Sequence, residues 1–166
     1  MPETEPWLRG PIPGVSPFVA PVLFSLQQTS EDLARWTEGL SQDQVWAARG
    51  GLAPLGFQLK HIAGSIDRLL TYAEGASLSE QQMTILKSEA QPEGTIAEML
   101  DAVNVSVQRV ESFARSATEA RLAEPRGVGR KQLPTTVIGL LVHIAEHTQR
   151  HVGQAIATVR VLRANP

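Results

Sequence analysis

The chain has 166 residues, 42% of them hydrophobic and 19% charged, which suits one compact domain with a core of its own and no second domain. Its 15 basic and 17 acidic residues leave a net charge of -2 and lie scattered along the chain, so no basic stripe is offered to a nucleic acid. The absence of cysteine excludes disulfides, thiolate metal ligands and a cysteine nucleophile. No basic, apolar leader and no membrane-spanning apolar run can be read in it, so the expectation is a cytoplasmic protein with neither nucleic acid nor membrane as partner.

Five prolines from Pro2 to Pro17 oppose regular structure. Residues 1–16 are therefore expected to form an extended proline-rich arm, lying on the surface or on a partner, with 17–166 as the folded domain. Ser16 and Pro17 read as N-cap and first helical residue. Phe18, Val22, Leu26, Leu33 and Trp36 then recur at helical spacing to about Gly39. "LSQDQVWAARGGLAPLG" reads as a connection. Leu55 to Glu74 reads as a second helix, with Leu59, Ile62, Ile66, Leu69 and Leu70 as its buried stripe and Gly75 as its stop. Ser79 to about Ala90 fits a short helix. Thr95 with Glu98 three residues on has capping-box spacing, and it opens a third long helix with an apolar face of Ile96, Leu100, Val103, Val107, Val110 and Phe113. "EPRGVGRKQLP" is a loop or short hairpin, and the last helix runs from near Thr135 to about Arg163. Four long amphipathic helices with a short extra one predict an all-α, antiparallel four-helix bundle.

Three of the four histidines, His143, His147 and His151, stand at four-residue intervals in "LVHIAEHTQRHVGQ". On a helix each step of four advances about 40° around the axis and about 6 Å along it, so His143 and His151 are about 12 Å apart. A zinc ion sits about 2 Å from each imidazole nitrogen, and all three cannot share one ion. A metal site here takes one adjacent pair, His143 with His147 or His147 with His151. Further ligands must come from elsewhere, and His61, on the striped second helix, is the remaining histidine. Bundle axes lie about 8–10 Å apart, which lets inward side chains from two helices meet. Three neutral imidazoles and an open fourth position suit a catalytic or exchangeable site, with Zn, Ni, Fe and Mn all chemically admissible. The zinc-protease motif H-E-x-x-H is absent, because Glu146 precedes His147.

"LGFQLKHIAGSIDRLLTYAEG" together with "IGLLVHIAEHTQRHVGQ" resembles the DinB-like family, four-helix bundles named for damage-inducible bacterial proteins and related to metal-dependent thiol S-transferases. The likeness covers roughly 17–162, and its specific part is the histidine-bearing helix ending in His-x-Gly-Gln. The resemblance implies one ligand from the second helix and two, four apart, from the last: His61, His147 and His151. It implies a divalent metal, zinc or nickel before iron or manganese, and leaves His143 as a residue beside the ligands or in the pocket. Val152 stands where many members have Arg. The activity implied is that of a metal-dependent thiol S-transferase, with a low-molecular-weight thiol and an electrophile as partners. A non-catalytic metal- or ligand-binding bundle of the stress-related kind and a metal-dependent hydrolase are the alternatives.

Gln58 and Ser65, at i−3 and i+4 from His61, and Gln154, three beyond His151, are placed to face the same cavity. Gly64 and Gly153 each lie near an expected ligand, and a glycine inside a helix costs about 1 kcal/mol against alanine, so close helix–helix contact is expected at both. Glu146 with Arg150 is spaced for a solvated i,i+4 ion pair, and Asp67 and Arg68 are expected on a similar solvated face. Trp36 and Trp46 are expected in the core. The apolar character of Phe18, Val22 and Leu23 beside the N-terminal arm suggests a homodimer formed by helix packing. Three histidines of ordinary pKa, near 6.5, would release up to three protons on binding metal in mild acid.

Overall fold

A computed structural model of the protein describes residues 4–164. In chain order the elements are α1 (Ala20–Thr37), α2 (Gln42–Trp46), α3 (Leu55–Ala73), α4 (Glu80–Ser88), α5 (Ile96–Ser116), α6 (Glu119–Leu122), β1 (Pro125–Val128), β2 (Leu133–Thr136) and α7 (Val137–Ala164). The four long helices α1, α3, α5 and α7 make the all-α bundle that the periodicity predicts. α3 packs on both α5 and α7, and α1 packs on the same two, so the ring closes with α1 across from α3. Leu26 and Leu33 of α1, Leu59, Ile62, Ile66 and Leu70 of α3, Val103 and Val110 of α5, and Leu141 and Ile144 of α7 fill the core. No helix of the described residues is long and apolar enough to cross a membrane.

Local signals set the element boundaries. Thr95 and Glu98 form the reciprocal capping box of α5, Ser79 and Gln82 do the same for α4, and Gly75 leaves α3 in the left-handed region at φ 84°. The "EPRGVGRKQLP" stretch is an antiparallel hairpin pairing Pro125 with Thr136 through to Val128 with Leu133. Two short helices were not anticipated. Ser41 and Gln44 build a capping box on α2 inside the expected connection, and Thr118 caps the single turn of α6.

The start of α1 lies later than the Ser16–Pro17 pair suggests. The Ser16 carbonyl accepts from the amides of Val19 and Ala20, each at 3.0 Å, in a turn that precedes the helix. Phe18 therefore points outward at 67% exposure and leaves the apolar stripe. Val22 and Leu23 are buried within their own chain, so any surface that pairs two copies excludes them. Before α1, Pro6–Leu8 form one 3-10 turn, Pro6 is buried, and Ile12 and Val15 pack on the core. Arg9 reaches Glu31 through two hydrogen bonds of 2.5 and 2.8 Å, and Arg115 donates to the Pro13 carbonyl at 2.6 Å. Trp36 and Trp46 lie half-buried against the core.

Gly56, in the first turn of α3, faces the Trp46 indole of α2 so closely that a Cβ there would lie 2.6 Å from two ring carbons. Gly56→Ala is expected to force the ring out of its seat and to destabilise the protein by about 1–3 kcal/mol, the usual cost of overpacking. Urea unfolding followed by tryptophan fluorescence checks this, and an unchanged midpoint would contradict the contact.

Candidate metal centre

His61 precedes the buried Ile62 of α3, and His143, His147 and His151 precede the buried Ile144, Thr148 and Val152 of α7. At about 100° per residue each imidazole thus springs from the margin of its helix's core stripe. Where α3 and α7 pack, the two margins meet. His61 Nε2 lies 3.1 Å from His147 Nε2. The His151 ring centroid is 4.3 Å from that of His61 and 4.6 Å from that of His147. One nitrogen from each ring lies within 4.8 Å of the others, so His61, His147 and His151 could hold one metal ion. Phe57, one turn before His61, stacks on its ring at 5.5 Å and 17°.

The other ring nitrogens decide what the group can bind. His61 Nδ1 is 2.7 Å from Glu89 Oε2. An ionised carboxylate only accepts, so Nδ1–H donates and the Nε2 lone pair faces inward. Gln58 is buried at 1% exposure. Its amide nitrogen donates to Gln154 Oε1 at 3.1 Å, which leaves its own oxygen to accept from His151 Nδ1 at 2.7 Å. His151 Nε2 is then likewise a lone-pair donor. With two Nε2 atoms at 3.1 Å, something positive must sit between them. A proton donated by His147 Nε2 or a metal ion each meets that requirement. A tetrahedral ion with bonds of about 2.0–2.1 Å would separate its ligand nitrogens by about 3.3 Å, close to the 3.1 Å between His61 Nε2 and His147 Nε2. The donor set therefore fits a divalent ion held by neutral imidazoles.

Glu89, just beyond α4, is the residue at this centre that the sequence reading missed. It is 3% exposed and also accepts from Arg68 Nη1 at 2.7 Å. Arg68 is thus buried against Glu89 rather than set on a solvated face. Asp67 pairs instead with Arg109 and accepts from Gln82 Nε2 at 2.7 Å. No periodicity links position 89 to position 61, and the one local hint was Gly64. A Cβ there would lie 2.5 Å from Glu89 Oε1 and 2.7 Å from Arg68 Nη1. Gly64 makes room for this side-chain pair rather than for a neighbouring helix. Gly153 is exposed and a Cβ on it would meet nothing within 4 Å, so close packing does not explain it.

The remaining expected residues divide. Gln154 joins through Gln58. Ser65 turns its hydroxyl back to the Ile62 carbonyl at 3.1 Å. His143 is half-exposed, with Nδ1 2.6 Å from Glu146 Oε1 and its ring 5.4 Å from that of His147. Glu146 also accepts from Arg150 at 2.6 Å, the solvated i,i+4 pair expected. The His143 hydrogen bond, followed by the hydrogen bond and charge of Arg150, holds the Glu146 carboxyl below its ordinary range. Val152 packs in the core at 2% exposure.

Burial first, and then the charges that His61 and His143 would carry, push the His147 imidazole below its usual pKa. The same burial, with repulsion from His61 and His147, lowers His151 to about 4. These rings are held ready for a cation by staying unprotonated.

Together these features define a class: a helical bundle with an open three-histidine centre between two of its long helices. The family model of the DinB superfamily matches residues 25–155, and the chain belongs to that superfamily. No curated protein matches the chain.

Two outcomes are expected. In metal-free protein, proton NMR should show His151 titrating near pH 4 and His147 below 6.5. Because the folded His151 pKa lies below its unfolded value, the folded state binds fewer protons, and stability should fall as pH drops from about 6.5 towards about 4. Metal binding at pH 5.5 should then release fewer than three protons, since His151 is already neutral there, and a His151 midpoint near 6.5 would contradict the geometry. Glu89→Gln is expected to lower zinc affinity by about 10–100-fold, the usual effect of losing a ligand-orienting carboxylate. Zinc titration against a competing chelator checks it, and unchanged affinity would remove Glu89 from the site.

Proposed function

We propose that the protein is a metal-dependent thiol S-transferase, with His61, His147 and His151 as the ligands of one divalent ion, zinc or nickel before iron or manganese. The observation that carries this reading is the centre itself: three imidazoles, two of them with tautomers fixed by Glu89 and Gln58, that leave part of an ion's coordination open, at a margin where His61 keeps 19% of its side chain exposed. Such a set is of the catalytic or exchangeable type rather than a closed structural one.

When bound there, the ion supplies Lewis acidity that lowers the pKa of a thiol entering the open position. The residues of the chain do the positioning. Glu89 and Gln58 hold the His61 and His151 rings, and Phe57 fixes the plane of His61. The chain has no cysteine, so the thiol arrives as a cosubstrate. Its sulfur forms a bond to an electrophilic carbon, the bond from that carbon to its leaving group breaks with the electron pair, and the thiol proton passes to solvent.

A second reading, metal binding without turnover, draws on one observation. A groove of about 790 Å³ lies between α3, α4 and α5 and is not lined by the histidines. A third, hydrolysis, uses the same ion with water as nucleophile. Incubating the zinc- or nickel-loaded protein with an electrophile and a panel of small thiols separates the three. The transferase reading expects turnover that requires both metal and thiol. Product formed without thiol supports hydrolysis, and no product with any thiol supports a binding role.

Single substitutions test the ligand set. His61→Ala, His147→Ala and His151→Ala are each expected to remove most of the metal affinity, because two imidazoles no longer define the geometry. His143→Ala should bind as the unaltered protein does. Elemental analysis after gel filtration reads this out, and loss of metal in His143→Ala with retention in His151→Ala would place the pair one turn earlier.

A further inference from the structure

α4 buries none of its side chains. Gln82 ties it to α3, donating from Nε2 to Asp67 Oδ2 and Thr71 Oγ1, each at 2.7 Å. On the side of α4 turned to the hairpin, Met83 and Leu86 are left 38% and 37% exposed. Arg126 of β1 holds the hairpin at the end of α3: Nε donates to the Ala73 carbonyl and Nη2 to Glu124 Oε2, each at 2.8 Å. Between α4, the turn after α3 and the hairpin lies a pocket of about 770 Å³, a volume typical of small-molecule sites. Tyr72 stands on its wall, about 16 Å along α3 from His61. The histidine centre therefore takes no part in it.

The charges on this pocket are of one sign. Leu78, Met83 and Leu86 give it an apolar face, Arg126 and Arg130 line it, and among the described residues no carboxylate does. Arg126 is paired with Glu124. Arg130 and Lys131, side by side on the hairpin turn, have no ion-pair partner among the described residues. Glu74 and Glu80, close by in sequence, form no part of the wall, and Glu74 turns to Arg109 at 3.9 Å. The groove of about 790 Å³ on the other side of α4 differs, because Lys60, Glu93 and Glu98 all line it and their mixed signs select no head group. A guanidinium presents a planar fork of N–H donors that matches a carboxylate. We infer that the pocket beside the hairpin is a second binding site, for a small molecule with an apolar body and a carboxylate head. The body lies on Leu78, Met83 and Leu86, and the head meets Arg130. No ligand of the metal is involved, so this inference stands or falls independently of the transferase reading.

Amide NMR of the metal-free protein titrated with phenylbutyrate tests it, with phenylbutylammonium as the cation and phenylbutanol as the uncharged ligand of the same skeleton. Saturable shifts centred on residues 75–78 and 126–132 are expected, with phenylbutyrate about tenfold tighter than phenylbutylammonium. Arg130→Gln should remove most of that preference and leave phenylbutanol unchanged. Leu86→Glu, which takes away part of the apolar wall and sets a carboxylate in the pocket, should weaken phenylbutyrate by about tenfold or more. Circular dichroism confirms that each variant is folded. No binding at millimolar concentration, shifts centred elsewhere on the bundle, or an undiminished preference for phenylbutyrate in folded Arg130→Gln would overturn the site.

Discussion

The hydrogen bond from His61 Nδ1 to Glu89 is the contact on which the centre depends. It fixes one tautomer, and with it the direction of the Nε2 lone pair towards His147. Gln58 does the same for His151 from the opposite side. Neither contact is local: position 89 stands 28 residues from its histidine and Gln58 93 residues from its own. The bundle brings them together because α3 presents Gln58 and His61 one turn apart on the margin that faces α7, while the end of α4 swings Glu89 over the gap left by Gly64. The fold thus supplies the alignment of rings that an ion would otherwise have to impose by itself, the second-sphere support that metal-ligating histidines ordinarily show.

The arrangement carries its own stability cost, which explains where the polar groups sit. A ring drawn to the edge of a core loses water, and burial, followed by repulsion from His61 and His147, is why His151 falls to about 4. The buried Glu89 charge would be costly alone, and Arg68 stands against it. A cation placed among the three imidazoles would take the place of the proton between His61 and His147.

Much of this was legible in the sequence because it is written in short-range patterns. The apolar stripes of α3 and α5, the capping box at Thr95 and the stop at Gly75 each involve neighbours within a turn or two, and they define the bundle without knowledge of the tertiary fold. The four-residue spacing of the histidines narrowed the pair to two choices, and the resemblance of the chain to DinB-like proteins selected His147 and His151. What escaped was long-range or set by competition between signals. Glu89 has no periodic relation to His61. Arg68 looked like a surface residue until Gly64 allowed it to lie across α3. Ser16 and Pro17 have the composition of a helix start, yet the chain makes one further turn before α1 begins. Superfamily membership adds the architecture. The chemistry proposed rests on the side chains that meet between α3 and α7.

The most direct test is a crystal structure of the protein grown with zinc and measured across the zinc absorption edge. The account predicts one anomalous peak per chain, about 2.0–2.1 Å from one ring nitrogen each of His61, His147 and His151, with Glu89 and Gln58 still on the Nδ1 atoms of His61 and His151 and His143 outside the coordination sphere. A peak held by His143 and Glu146, or no ordered zinc between α3 and α7 at saturating concentration, would contradict it.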